Sequence, residues 1–135
     1  MNWLGEDAGK LLLRVLVGGL LILHGFHKLV SGPGDIAHLL AAHGVPGFLA
    51  VGVYLGEVVG PLLMLIGVYT RIGALLVIAN MVVAVLVTRG SHLFGLNEYG
   101  GLGIELEVFY GVGALCVAML GAGAYSAGGK TGKFN

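Results

Sequence analysis

The sequence predicts an all-α integral membrane protein, a four-helix bundle with a short amphipathic helix between its first two spans. Two observations carry this. Of its 135 residues 57% are hydrophobic and only 10% are charged, against roughly a quarter charged in soluble domains. The apolar residues also fall into four runs near the roughly 20 residues that a bilayer-spanning helix needs. The predicted spans cover 11–30, 48–69, 72–88 and 102–120, within one domain occupying 1–135.

The first span follows Glu6 and Asp7, where a cleavable signal peptide would carry basic residues. It is therefore read as a retained helix. The connection after it, SGPGDIAHLLAAHGVPG, is long enough for a helix of its own. Asp35 is a candidate cap and Gly44 a candidate left-handed stop. Ile36, Leu39 and Leu40 share one face, which predicts a helix lying on the membrane or tucked into the bundle mouth. The second span carries Gly52, Gly56 and Gly60 at four-residue spacing, a pattern that lets backbones approach closely inside the bundle or against a partner chain. The Gly60-Pro61 pair predicts a kink, because proline frees the carbonyl four residues earlier. The connection to the third span is minimal, around Tyr69-Thr70-Arg71. The next, RGSHLFGLNEYGG, holds turn formers with Phe94 and Tyr99 as interfacial anchors. The small, polar tail after Gly121 is expected to fray.

Four spans place both termini on one side. That side carries Lys10, Arg14, Arg71, Lys130 and Lys133; the other carries Lys28 and Arg89. The positive-inside rule then puts both termini in the cytoplasm. A formal net charge of zero removes the basic footprint of a nucleic-acid binder. The single Cys116 excludes an intrachain disulfide and a CxxC redox pair, and reads as a small apolar filler.

The chemistry-bearing residues gather toward the outer end. The first span finishes in HGFHK, placing His24, His27 and Lys28 at i, i+3 and i+4. Glu57 interrupts the apolar second span at a similar depth, and Glu105 and Glu107 open the fourth. The expected site is His24, His27, Lys28, Glu57 and Glu105, with His92 as a loop contribution. An ionisable group inside the bilayer is costly unless paired or hydrated, which makes it a functional candidate. The plainer alternatives are that Glu57 pins helices together through Lys28 or a histidine, and that Lys28 only snorkels. HxxH by itself is a weak metal signal, and no metal is assigned. Arg14 is expected to snorkel or pair with a backbone carbonyl, Arg71 to anchor the topology, and Asn80 to bond between helices.

The chain resembles the DoxX family of small four-helix membrane proteins over nearly all its length. The matching pieces are Arg14 with HGFHK, HGVPG before the second span, Glu57 with Gly60, the GVYTRIGALL junction, Met81 with Ala84, Glu105 and the closing GAGAYS. One departure stands out: where the family's tail usually places an acid after the tyrosine-serine pair, this chain has Ala127-Gly128-Gly129. The family name goes back to a small subunit of an archaeal thiosulfate:quinone oxidoreductase. Other members are linked to membrane oxidoreductase assemblies that handle thiol or oxidative stress, and more distant relatives act as chaperones or cargo receptors. The resemblance implies a protein of the cytoplasmic (inner) membrane in a redox setting. The expected function is a quinone-linked subunit in which His24 or His27 donates to a quinone oxygen, Glu57 accepts a proton, Lys28, Glu105 and His92 bind the cofactor, and the apolar wall of the first two spans holds the ring. No flavin or NAD fingerprint is visible and there is no dithiol, so electrons are expected from a membrane or peripheral redox partner or from a cofactor without a sequence fingerprint here. The alternative is a non-catalytic anchor, assembly factor or chaperone, with the glycine stripe as docking face; that stripe also leaves a homo-oligomer open.

Overall fold

The computed structural model describes residues 3–89 and 93–135. Helix α1 runs from Trp3 to Ser31 and α2 from Gly34 to Ala42. A 3-10 turn at Gly47–Leu49, α3 (Ala50–Tyr54), a π-helical turn (Leu55–Val59) and α4 (Gly60–Ile66) follow as one rod. Helix α5 spans Thr70–Arg89 and α6 spans Glu105–Leu120. Three stretches among the described residues are long and apolar enough to cross a membrane: Gly5–Ser31, Gly47–Ile66 and Thr70–Val87. Helix α6, with 16 residues, is about 24 Å long at 1.5 Å per residue and packs along α5 as the fourth rod.

The rods form a square in chain order. Helix α1 touches α4 and α6, and α5 touches the same two from the opposite corner. Their inward faces supply one core: Val17 and Leu21 of α1, Met64 of α4, Ala74, Val77 and Met81 of α5, and Tyr110, Ala114 and Val117 of α6. The outward faces carry exposed Leu12, Leu23, Leu75, Leu86 and Met119. This inversion of the soluble pattern is what lipid contact requires, since tails solvate apolar side chains but not backbone polar groups.

Close helix packing rests on glycine. A Cβ on Gly60 would lie 2.8 Å from the Gly73 carbonyl oxygen, and one on Gly73 only 2.6 Å from that of Gly60. A Cβ on Gly56 would overlap Asn80. Gly56 and Gly60 therefore serve the bundle interior, while Gly52 has open space around it.

Helix α2 is tucked into the bundle mouth. Leu40 packs with Ala50 and Val87, flanked by Ile36, Ala37 and Val45. Gly44 does end it, with φ +72° and the Val45 N–H donating to the Leu40 carbonyl at 2.9 Å, a closure typical of a left-handed stop. The expected cap is corrected: Pro33 occupies the cap position and no side-chain cap bond forms. Asp35 sits exposed in the first turn, where the helix dipole favours an acid.

The kink takes the form of the π turn. Pro61 has no N–H, so the Glu57 carbonyl loses its helical donor. The Gly60 N–H reaches back to Leu55 instead. The Glu57 carbonyl is covered by Gly25 of α1, where any Cβ would overlap it.

The tail, expected to fray, folds back over the terminal end. Ala127 and Gly128 N–H groups donate to Ile66 and Gly67 carbonyls at 3.0 Å each. The Asn135 amide donates to the carbonyls of Gly67 and Gly129 at 2.9 Å and accepts from the Thr70 hydroxyl at 3.0 Å. Arg71 donates to the Ala118 carbonyl at 2.7 Å and to that of Asn135 at 3.0 Å. Buried Arg14 donates to the Tyr125 carbonyl at 2.7 Å, the backbone pairing expected for it. Asp7 accepts from the Ala124 N–H at 3.0 Å, and Lys130 Nζ lies 2.7 Å from its other oxygen. Polar groups near a membrane face thus find partners on a segment whose composition alone looked unstructured.

Candidate functional site: a polar cavity at the end opposite the termini

Glu57 stands at the centre of the π turn, a feature often found where a helix serves a site. The wider turn directs its carboxyl group into the bundle, and the residue is 4% exposed. Lys28 Nζ donates to Oε1 at 2.6 Å, and the Asn80 amide donates to the same oxygen at 3.1 Å. One carboxylate oxygen therefore ties α1, the second rod and α5 together. The Lys28 side chain is 39% exposed and that of Glu57 6%, so Lys28 reaches from the surface to the buried acid. Tyr54 adds a weak bond to the Lys28 carbonyl at 3.4 Å.

The ion pair borders two spaces. Toward α6 lies a cavity of about 180 Å³ lined by Leu21, His24, Lys28, Glu57, Met81, Ala84, Leu106, Glu107 and Tyr110. Beneath α2 lies a smaller one of about 100 Å³ that Lys28, Glu57, Asn80 and Ala84 share with apolar neighbours. Two carboxylate oxygens of residues in its lining, Glu57 Oε2 and Glu107 Oε2, are themselves closed off from solvent and have no hydrogen-bond partner among the described residues. His24 stacks edge-on against Tyr110 with ring centroids 5.9 Å apart. Its Nδ1 lies 3.2 Å from the Leu20 carbonyl oxygen, within hydrogen-bonding distance.

The structure brings together His24, Lys28 and Glu57 from the expected set, and not the others. His27 is exposed and lines none of these spaces, because it lies about 100° around the helix from Lys28. Glu105 is exposed too; its carboxylate packs against Gly101, in a shallow hollow with Asn97 and Phe109. The α6 acid at the cavity is Glu107, which shares the buried face of Tyr110, Ala114 and Val117 at helical spacing. That spacing was the signal available for choosing Glu107 over Glu105. His92 lies outside the described residues. Among those residues, no three His, Cys, Asp or Glu side chains are grouped to hold a metal.

An apolar groove of about 400 Å³ runs along α5 and α6, lined by residues including Ile78, Val82, Val85, Val108, Val112 and Leu115. It shares Met81 and Glu107 with the polar cavity. A lipid-facing slot therefore adjoins a polar, partly unsatisfied end.

Apolar rods facing outward, glycine-mediated contacts and a polar cavity near one end define a small multi-pass membrane protein. The chain belongs to the DoxX family, whose family model matches residues 9–90. It is similar to "Inner membrane protein YqjF" of Escherichia coli, at 32% identity over 121 residues and 90% of each chain. An uncharacterized protein of Haemophilus influenzae is 33% identical over 115 residues, covering 83% of this chain and 82% of that one. "Putative oxidoreductase CatD" of Bacillus subtilis is 30% identical over 83 residues, 62% of this chain and 61% of its own. No solved structure matches.

Proposed function

We propose that the protein is the membrane subunit of a quinone-linked oxidoreductase system of the thiosulfate, thiol or oxidative-stress type. It resides in the inner membrane with both termini cytoplasmic. The observation that carries this reading is the cavity of His24, Lys28, Glu57, Glu107 and Tyr110, which shares the wall residues Met81 and Glu107 with an outward-facing apolar groove. A lipid-soluble ring with a polar rim needs both surroundings. Lys28 and Tyr110, both in the cavity's lining, carry N–H and O–H donors that the carbonyl oxygens of such a ring accept from. The oxidoreductase name of one relative points the same way.

A bound quinone supplies two-electron chemistry coupled to two protons. The chain's own residues would do the rest. Lys28 and Asn80 hold Glu57 in place through Oε1. Glu57 and Glu107, which line the cavity, would pass to the ring's oxygens the two protons that its reduction consumes. Leu21, Met81 and Leu106 flank the ring and exclude water. Lys28, 39% exposed at its side chain, links Glu57 to the aqueous rim for proton exchange. Electrons arrive from a partner protein.

The self-contained Lys28–Glu57–Asn80 clasp favours a second reading, in which the polar cluster only pins helices and the protein anchors or assembles a partner. Solvent extraction of protein purified in mild detergent separates the two. The first reading expects near-stoichiometric quinone, lost in Glu57→Gln while the fold persists. The second expects no quinone, a co-purifying protein, and a Glu57→Gln variant altered only in stability.

A further inference from the structure

We infer that an apolar pocket beneath α2 is a lateral port to the Lys28–Glu57 pair, taking a compact, uncharged, lipid-soluble molecule, with Leu40 as its gate. The port requires only that the molecule dissolve in lipid, quinone or not. The pocket, about 460 Å³, is formed between the second rod and α5, with Leu40 and Val45 closing its α2 end. That size suits a small-molecule site. Leu49, Leu55, Val83 and Leu86 of its lining are exposed on the bundle's outer surface, so it faces lipid. Asn80 is the one polar residue among the described residues that line it. A charged occupant would go uncompensated there, whereas an uncharged one finds a single hydrogen-bonding contact. A Cβ on Gly52 would meet no atom within 4 Å, so this outer member of the glycine stripe keeps the space open.

Beside this pocket lies the space of about 100 Å³ that has Lys28 and Glu57 in its lining. The two share the wall residues Leu40, Val53, Asn80, Val83 and Val87. All but Leu40 stand on the long rods. Leu40 comes from α2, is the one buried residue of that helix, and packs on Ala50 and Val87. Glycines in the left-handed region flank the helix, Gly32 at φ +86° and Gly44 at φ +72°, where the backbone turns most freely. In a bilayer no hydrophobic driving force presses Leu40 into its seat, because lipid tails solvate it as well as protein does. Withdrawing it joins the pocket to the Glu57 side chain and gives up the packing of one side chain, with the rods unmoved.

The test is the rate at which dicyclohexylcarbodiimide, an uncharged lipid-soluble reagent, modifies Glu57 in the full-length protein in phosphatidylcholine nanodiscs. The reagent adds to a protonated carboxyl group and leaves an N-acylurea, which peptide mass spectrometry locates. Glu105, exposed at the start of α6, is the reference acid in the same digest. Leu40→Ala removes the gate's packing, worth at least about tenfold in the open fraction, and is expected to speed modification of Glu57 by that factor. Gly52→Phe fills the pocket from an open position and is expected to slow it by a comparable factor, with Glu105 unchanged. Gly52→Leu is a second filling variant, and thermal midpoints confirm that each protein folds. A Glu57 rate unmoved by both filling variants overturns the port, because the reagent then arrives by the α5–α6 side or no pocket is used. Absence of a Glu57 adduct even in Leu40→Ala overturns the gate. Modification of Glu57 at the same rate by a water-soluble, cationic carbodiimide also overturns the port, since that reagent comes from the aqueous side.

Discussion

Removing Lys28 should cost more stability than removing the buried acid it serves. The perturbations are Lys28→Met, Glu57→Gln and the double variant. In Lys28→Met the Glu57 side chain, 6% exposed, keeps only the Asn80 amide at 3.1 Å. An uncompensated buried charge costs about 3–5 kcal/mol; with one donor remaining, about 3 kcal/mol is expected. In Glu57→Gln the orphan is an ammonium whose side chain is 39% exposed. Water takes over most of its solvation, so the loss is about 1 kcal/mol. The double variant leaves no buried charge and should fall between the two, giving a coupling of about 2 kcal/mol that is absent for independent sites. Reversible unfolding in mixed dodecylmaltoside and dodecylsulfate micelles reads all four proteins. Equal losses for the single variants, or a larger loss for Glu57→Gln, would refute the asymmetry argued from burial.

Gly56→Leu should destabilise the bundle by more than about 3 kcal/mol, the upper range for overpacking, since even a Cβ overlaps Asn80; an unchanged midpoint in detergent would contradict the packed glycine face. Lys130 is raised above its ordinary value of 10.5, first by its hydrogen bond to Asp7. Its contribution is therefore fully present below that value and lost as pH rises through the higher folded-state value, so wild type and Lys130→Met should converge in strongly alkaline solution; a gap that stays constant to the alkaline limit would dismiss the contact. Reporter fusions at Asn135 should be active only as cytoplasmic reporters, following the five-to-two Lys/Arg bias; a periplasmic signal would invert the placement of the cavity.

What was legible in the sequence follows from how local each signal is. Glu57 is a single acid within a long apolar run, and Lys28 and His24 recur four residues apart on the preceding span, so their convergence needed only span depth and helical phase. The α6 acids were harder. Helix α6 is apolar on all sides, which blurs its inward face, and Glu105 and Glu107 lie about 200° apart on it; the phase becomes clear only from buried Tyr110, Ala114 and Val117. His27 failed for the same angular reason. The Gly60-Pro61 break was readable, but not the π turn, which depends on Gly60 reaching Leu55 and on Gly25 making room for the Glu57 carbonyl. The tail was illegible because its bonds join Asn135 to Gly67 and Thr70 across the chain, and glycine-rich composition reveals only local freedom.

The most direct test of the central claim is photolabelling with an azido-quinone in nanodiscs, followed by mass-spectrometric mapping. The account predicts adducts on α5 and α6 beside the cavity, among Met81, Val85, Glu107, Val108 and Gly111, with labelling suppressed by excess unlabelled quinol. Adducts confined to outward residues such as Leu12, Leu23 and Met119, unchanged by competitor, would contradict it.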